Sequence, residues 1–144
     1  MNVDAILDAK GRRVVTMRPS SSLTTVIHRL KQERIGAMVL SEDGETIAGI
    51  LSERDIVSGL AERGRDLLDG KAADIMTREV ITCGPGDSLK QVMAKMTHSR
   101  VRHVPVVQDG KLIGLISIGD VVKHRLQEAE LETTVLREAY IAAH

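Results

Sequence analysis

Two stretches of the chain set a hydroxyl and a carboxylate three residues apart behind an apolar run: Gly49-Ile-Leu-Ser52-Glu-Arg-Asp55 and Gly114-Leu-Ile-Ser117-Ile-Gly-Asp120. An ionised carboxylate accepts hydrogen bonds only, through two oxygens, and so matches the neighbouring hydroxyls of a ribose. A serine at a helix start sits beside unpaired backbone N–H groups that take a phosphate oxygen readily. Together the two residue types suit a nucleoside phosphate. The same spacing also serves structure alone, with serine as the N-cap and an acid in the first turn of the helix. The two uses are compatible. Three features favour the ligand. The pattern occurs twice with the same Gly-apolar-apolar lead. Both copies carry Asp where a capping box prefers the longer Glu or Gln. A repeated unit also brings its two helix starts into one cleft.

The repetition extends well beyond these words. Laying residues 14–30 over 80–96 pairs Val14, Thr16, Pro19, Ser22, Leu23 and Val26 with Val80, Thr82, Pro85, Ser88, Leu89 and Val92. Arg34 then falls on Arg100, and Asp43-Gly44 on Asp109-Gly110. After one extra residue near Glu45–Thr46, Gly49, Ser52, Asp55 and Val57 fall on Gly114, Ser117, Asp120 and Val122. The chain is an internal duplication, the feature that most constrains its fold.

Each copy predicts the order β-α-β-β-α. A short strand (14–16 or 80–82) leads through a proline turn into a helix, with Leu23, Val26, Ile27 and Leu30, or Leu89, Val92, Met93 and Met96, at helical spacing. Two strands joined at Asp-Gly follow, a hairpin signal because both residues tolerate positive φ. A second helix opens at Ser52 or Ser117. One such unit cannot cover both faces of its sheet, so an α/β (α+β) pair packed about a pseudo-twofold axis is expected. The copies divide as 1–70 and 71–126, with 127–144 a C-terminal helix extension. The connector between them carries a short helix near Ala72–Met76. The long helix from Val121 carries more apolar surface than two small cores need, which points to a homodimer.

Composition narrows the function classes. Twenty basic residues balance twenty acidic ones, so no global field draws nucleic acid or an anionic membrane. Aromatic residues amount to one tyrosine, so bases have no stacking platform and a flat ligand must lie between aliphatic walls. No apolar run approaches a membrane span, and no export signal is visible. The single Cys83 fits a reducing compartment, and a cytoplasmic location is expected. The histidines at 28, 98, 103, 124 and 144 share no metal-ligand spacing, so no metal is expected.

On Gly-apolar-apolar-Ser-x-x-Asp in both copies, the preceding hairpins, and the early Thr-x-x-Pro words at 16–19 and 82–85, the chain resembles the tandem CBS-domain proteins, after the domain pair of cystathionine β-synthase. The stretch 100–120 is typical of small stand-alone bacterial members, and the resemblance covers about residues 1–126. It implies a ligand-sensing module, usually dimeric, for AMP, ATP, NAD or S-adenosylmethionine. It also implies two sites built across the copies. One would use Ser52, Arg54 and Asp55 with Thr82, Val101, Arg102 and His103. The other would use Ser117 and Asp120 with Thr16, Ile35, Gly36 and Ala37.

The copies diverge where charge matters. Gly119 stands in the place of Arg54, and Gly36 and Ala37 match Arg102 and His103. Arginine offers a rigid fork of donors to phosphate, and histidine a donor that strengthens on protonation. The Asp55 site therefore collects the cationic groups, and AMP or the adenylate end of NAD(H) is expected to bind there more tightly. A nucleotide hydrolase using Asp55 or Asp120 with His103, and a purely structural dimerisation module, are the rival readings. No nucleophile–base pair is evident for the first.

Overall fold

The structure, a computed structural model, describes Met1–Ala143; the histidine at 144 lies outside the described residues. In the first copy, β1 (Thr16–Met17) runs parallel to β2 (Ala37–Leu40), which pairs antiparallel with β3 (Gly49–Ser52). Helices α2 (Leu23–Glu33) and α3 (Glu53–Arg63) complete the unit. The second copy repeats this with α4 (Leu89–Ser99), β4 (His103–Gln108), β5 (Lys111–Ser117) and α5 (Ile118–Ala143). The result is an α/β fold of two related copies, β-α-β-β-α in the first and α-β-β-α in the second, with α5 running on as a C-terminal helix.

Local chemistry explains most element ends. Ser22 and Ser88 cap α2 and α4, each accepting the N–H three residues on. Both helices end at an arginine in the left-handed region, Arg34 at φ 56° and Arg100 at φ 55°. The β4–β5 turn holds Asp109 and Gly110 at φ 52° and 77°, the paired positive values of a two-residue hairpin. The first hairpin turns differently. Asp43 accepts the N–H groups of Glu45 and Thr46 at 2.8 and 2.7 Å within a longer loop, and β2 and β3 are short.

Two sequence expectations need correction. Residues 80–82 form no strand. The contact equivalent to β1 is a single parallel bridge at Cys83, whose N–H donates to Pro105 and whose carbonyl accepts from Val107. The chain then turns at Gly84, whose N–H is held by the Asp87 carboxylate at 2.9 Å, which stops the ladder. The connector's helix is shorter than expected, a 3-10 turn over Ala72–Asp74 that follows another at Gly64–Asp69.

A helix not anticipated from sequence, α1 (Val3–Lys10), precedes the first repeated strand but packs on the second copy. Its Val3, Ile6 and Leu7 are buried among Leu89, Val92, Met96, Val104, Val106, Ile116 and Val121. The connector does the converse. Leu67, Ala72 and Met76 lead into the repeated part of the second copy yet complete the first core, with Leu23, Val26, Met38, Leu40, Leu51 and Ile56. Each copy is thus closed by the segment that leads into the other, and this exchange ties the halves together about their pseudo-twofold axis.

The repeated glycines follow from the exchange. A Cβ on Gly114 would come within 2.6 Å of Leu7 Cδ2, and one on Gly49 within 2.6 Å of Met76 Sδ. Both are closer than any real contact. The Gly-apolar-apolar lead is therefore explained by packing, without a ligand.

Candidate functional site

Both Ser-x-x-Asp words begin helices, and both form the reciprocal cap that the sequence reading discounted for Asp. Ser52 Oγ accepts the Asp55 N–H at 3.2 Å, while Asp55 Oδ2 accepts the Ser52 N–H at 2.9 Å. Ser117 and Asp120 repeat this at 3.2 and 2.9 Å. The shorter Asp closes the loop as well as Glu would, because the extended N-cap backbone leaves its N–H close to the first turn. The helix-cap reading is thus correct for both copies. What distinguishes them is their surroundings.

Around Asp55 the two copies enclose a cleft of about 320 Å³. The first copy contributes Ser52, Arg54 and Asp55 from the β3–α3 junction, and the second contributes Val101, Arg102 and His103 from the approach to β4. Asp55 is half-buried, with Oδ2 committed to the cap and to the Ser52 hydroxyl at 3.0 Å. Oδ1 accepts no hydrogen bond among the described residues. Aliphatic walls come from Ile50, Val80 and Ile81.

The allocation between the two sites differs from the sequence reading in three residues. Gly36 and Ala37, assigned to the Asp120 side, line the Asp55 cleft, whereas Thr82, assigned to it, does not. Gly36 lies against His103: a Cβ there would sit 3.0 Å from Cε1 of the imidazole. Thr82 instead faces α4, its carbonyl accepting from Lys95 Nζ at 2.8 Å. Thr16 and Ile35 lie outside the cleft lining, Thr16 in β1 and Ile35 against the first core.

Lining residues that the sequence reading did not assign are Ile50, Glu53, Val57, Thr77, Glu79, Val80, Ile81 and Arg100. Thr77 and Glu79 come from the connector, where Thr77 pairs with Ile50 through hydrogen bonds of 2.9 and 3.0 Å. That pairing has no sequence signature. Arg100 was legible only as one of a matched pair of arginines, because its left-handed backbone rather than its charge is what the copies share.

His103 is half-buried, and burial holds its imidazole below the ordinary pKa. The Glu53 and Asp120 carboxylates pull it upward and Lys10 and Arg102 downward, but burial prevails. Cys83 is buried in the second core, and burial pushes its thiol up to about 11, so it is an inert thiol at neutral pH. Among the described residues, no group of three or more His, Cys, Asp or Glu is placed to hold a metal, and no helix is long and apolar enough to cross a membrane.

The Asp120 side is built otherwise. Lys10 Nζ donates to Asp120 Oδ2 at 2.7 Å and to the Leu115 carbonyl at 2.9 Å. Burial raises the Asp120 carboxyl, but the Lys10 and Ser117 hydrogen bonds outweigh it and hold the group below its usual range.

Comparison with known proteins gives a consistent result. The family model for the CBS domain matches residues 8–62 and again 72–127. A mitochondrial CBS domain-containing protein of Arabidopsis thaliana is 39% identical over 119 residues, 80% of this chain and 57% of that protein, so the chain spans little more than half the relative's length. The crystal structure of a CBS-domain containing protein from Agrobacterium tumefaciens is 42% identical with a TM-score of 0.83, covering 86% of this chain and 92% of that one. A CBS domain protein from Pyrobaculum aerophilum, solved in complex with AMP, is 31% identical with a TM-score of 0.78, covering 92% of this chain and 99% of that one.

Proposed function

The chain belongs to the CBS-domain family, and from that premise we propose that it is a regulatory module whose Asp55 cleft binds an adenosine nucleotide, AMP in preference to NAD(H). One observation carries the reading. A single cleft built by both copies joins a helix-start serine and an aspartate with a spare oxygen to Arg54, Arg102 and His103.

Adenine lies between Ile50, Val80, Ile81 and Val101, in keeping with a chain that has no Trp or Phe. Asp55 Oδ1 takes the ribose hydroxyls, and the phosphate lies toward the start of α3 and the guanidinium groups, where charge-assisted bonds are strongest. The cleft's volume of about 320 Å³ is near the small end of the range of roughly 300–1,000 Å³ typical of ligand sites, which favours a mononucleotide over a dinucleotide. The AMP bound by the Pyrobaculum aerophilum protein supports the same ligand class.

A ligand held by both copies favours one relative orientation of them, and that differential affinity is what can regulate a partner. The exposed apolar residues of α5, among them Leu131, Val135 and Leu136, serve a homodimer contact. The module acts in the cytoplasm by binding, not by turnover. Thermal-shift measurement with AMP tests the reading directly, since a ligand specific to the folded state raises the melting point. A melting point unmoved by millimolar AMP, ATP or NAD overturns it. Product formed on incubation with ATP overturns the non-enzymatic part.

A further inference from the structure

We propose that Lys10 is a built-in occupant of the Asp120 site, holding the carboxylate that would otherwise grip a second nucleotide and so limiting the chain to one. The inference rests on the proposed nucleotide reading of the Asp55 cleft and goes beyond it.

The Lys10 ammonium is bonded directly to the Asp120 carboxylate. It donates to Asp120 Oδ2 at 2.7 Å and to the Leu115 carbonyl at 2.9 Å, on either side of the β5–α5 junction. Oδ2 also accepts the Ser117 N–H at 2.9 Å. A diol arriving at this carboxylate would compete with a cation already bonded to it, whereas Asp55 has no such partner.

Lys10 is held in place by the fold. It is the last residue of α1, whose Val3, Ile6 and Leu7 are buried in the second core, and the Gly11 N–H closes the helix on the Leu7 carbonyl at 2.8 Å. The fold therefore fixes the backbone from which the side chain reaches, while the exposed side chain itself is ordered by its two hydrogen bonds.

The pseudo-equivalent segment supplies nothing similar to Asp55. Past Met76, which packs on Gly49 as Leu7 packs on Gly114, the connector brings Thr77 and Glu79 to the cleft. Its one cation there, Arg78, turns back to the Ala73 carbonyl. Both aspartates keep an Oδ1 that accepts no hydrogen bond among the described residues, but only Asp120 has a cation bonded to its carboxylate.

The test is the stoichiometry of AMP binding by calorimetry in four full-length proteins. At AMP concentrations that just saturate wild type, wild type is expected to bind one AMP per chain, Lys10→Ala two, Asp55→Ala, weakened about tenfold or more, close to none, and the double variant Asp55→Ala with Lys10→Ala one. Lys10→Arg, which keeps a cation in reach of Asp120, is expected to stay at one. Two AMP per wild-type chain overturns the inference while leaving the nucleotide reading intact. One AMP in Lys10→Ala, at a melting point close to wild type, also overturns it. Binding by the double variant but not by wild type would sink the Asp55 reading and keep this one.

Discussion

The helix starts at Ser52 and Ser117 carry the same two side chains in the same reciprocal cap, with hydrogen bonds that agree to within 0.1 Å. They differ in what faces them. At Asp55 the opposite wall carries Arg102 and His103 and the connector adds an acid, Glu79. At Asp120 the segment from the other end of the chain adds a lysine, Lys10, 2.7 Å from the carboxylate. Duplication supplied two equal frames. The charges that distinguish the two sites lie at the variable positions of the repeated word and beyond it, which is why its serine and aspartate alone cannot rank the sites.

The largest expected effect tests the exchange of segments that underlies this difference. Leu7 is 1% exposed and seated on Gly114. Leu7→Ala removes a fully buried side chain and is expected to cost about 2–5 kcal/mol, read from urea unfolding. Met76 plays the same part on Gly49 but is 8% exposed, and Met76→Ala is expected to cost less. Equal losses would mean that the two closing segments are energetically interchangeable despite their different secondary structure.

Next in size is the contrast between the carboxylates. If a charge-assisted bond contributes about 1.5–3 kcal/mol, Asp55→Ala weakens AMP binding roughly ten- to hundredfold. Asp120→Ala removes an identical cap and is the matched control, expected to leave affinity at the Asp55 cleft unchanged. A loss confined to Asp120→Ala would reverse the ranking of the sites.

Much of this was legible in the residues, for identifiable reasons. Identities such as Val14 with Val80 and Ser22 with Ser88 exposed the duplication, and a duplicated β-α-β-β-α unit leaves few ways to pack. The charge asymmetry of Arg54, Arg102 and His103 needed only the alignment. What stayed hidden was long-range and unpaired in sequence. Helix α1 is short, and nothing local says that its Val3, Ile6 and Leu7 belong to a core about eighty residues away. With α1 unseen, Lys10 could not be linked to Asp120. That Gly36 and Ala37 line the Asp55 cleft was hidden for a related reason: the position of His103 over Gly36 depends on how the two sheets meet, which neither copy encodes by itself.

The arginines that end α2 and α4 allow a finer comparison. Both hold a left-handed backbone that strains any residue with a Cβ. Arg34→Gly and Arg100→Gly should each stabilise the chain by up to about 1 kcal/mol by thermal unfolding. Only Arg100 lines the cleft, so only Arg100→Gly is expected to weaken AMP binding as well. Equal affinities for the two variants would remove Arg100 from the phosphate's surroundings and leave it a helix terminator like its counterpart.

The smallest effect is a pH dependence with opposite signs in the free and bound protein. In the free protein burial holds the His103 pKa below the ordinary value, against the pull of Glu53 and Asp120 and with the help of Lys10 and Arg102. The unfolded chain therefore binds this proton more readily than the folded one. The contribution to stability is full above the unfolded pKa of about 6.5 and is lost as pH falls through it toward the folded value. A phosphate in the cleft reverses the balance, because an anion close to the ring favours its charged form. Binding then takes up a proton, and affinity for AMP should rise a few-fold as pH falls from about 7.5 to 6.5. Loss of the phosphate's own second charge near pH 6 opposes this rise, so the quantity to measure is the difference in pH profile between wild type and His103→Asn. That difference vanishes if the phosphate lies away from His103, which would move the phosphate to the Arg54 side of the cleft and leave His103 as the seam between the two copies.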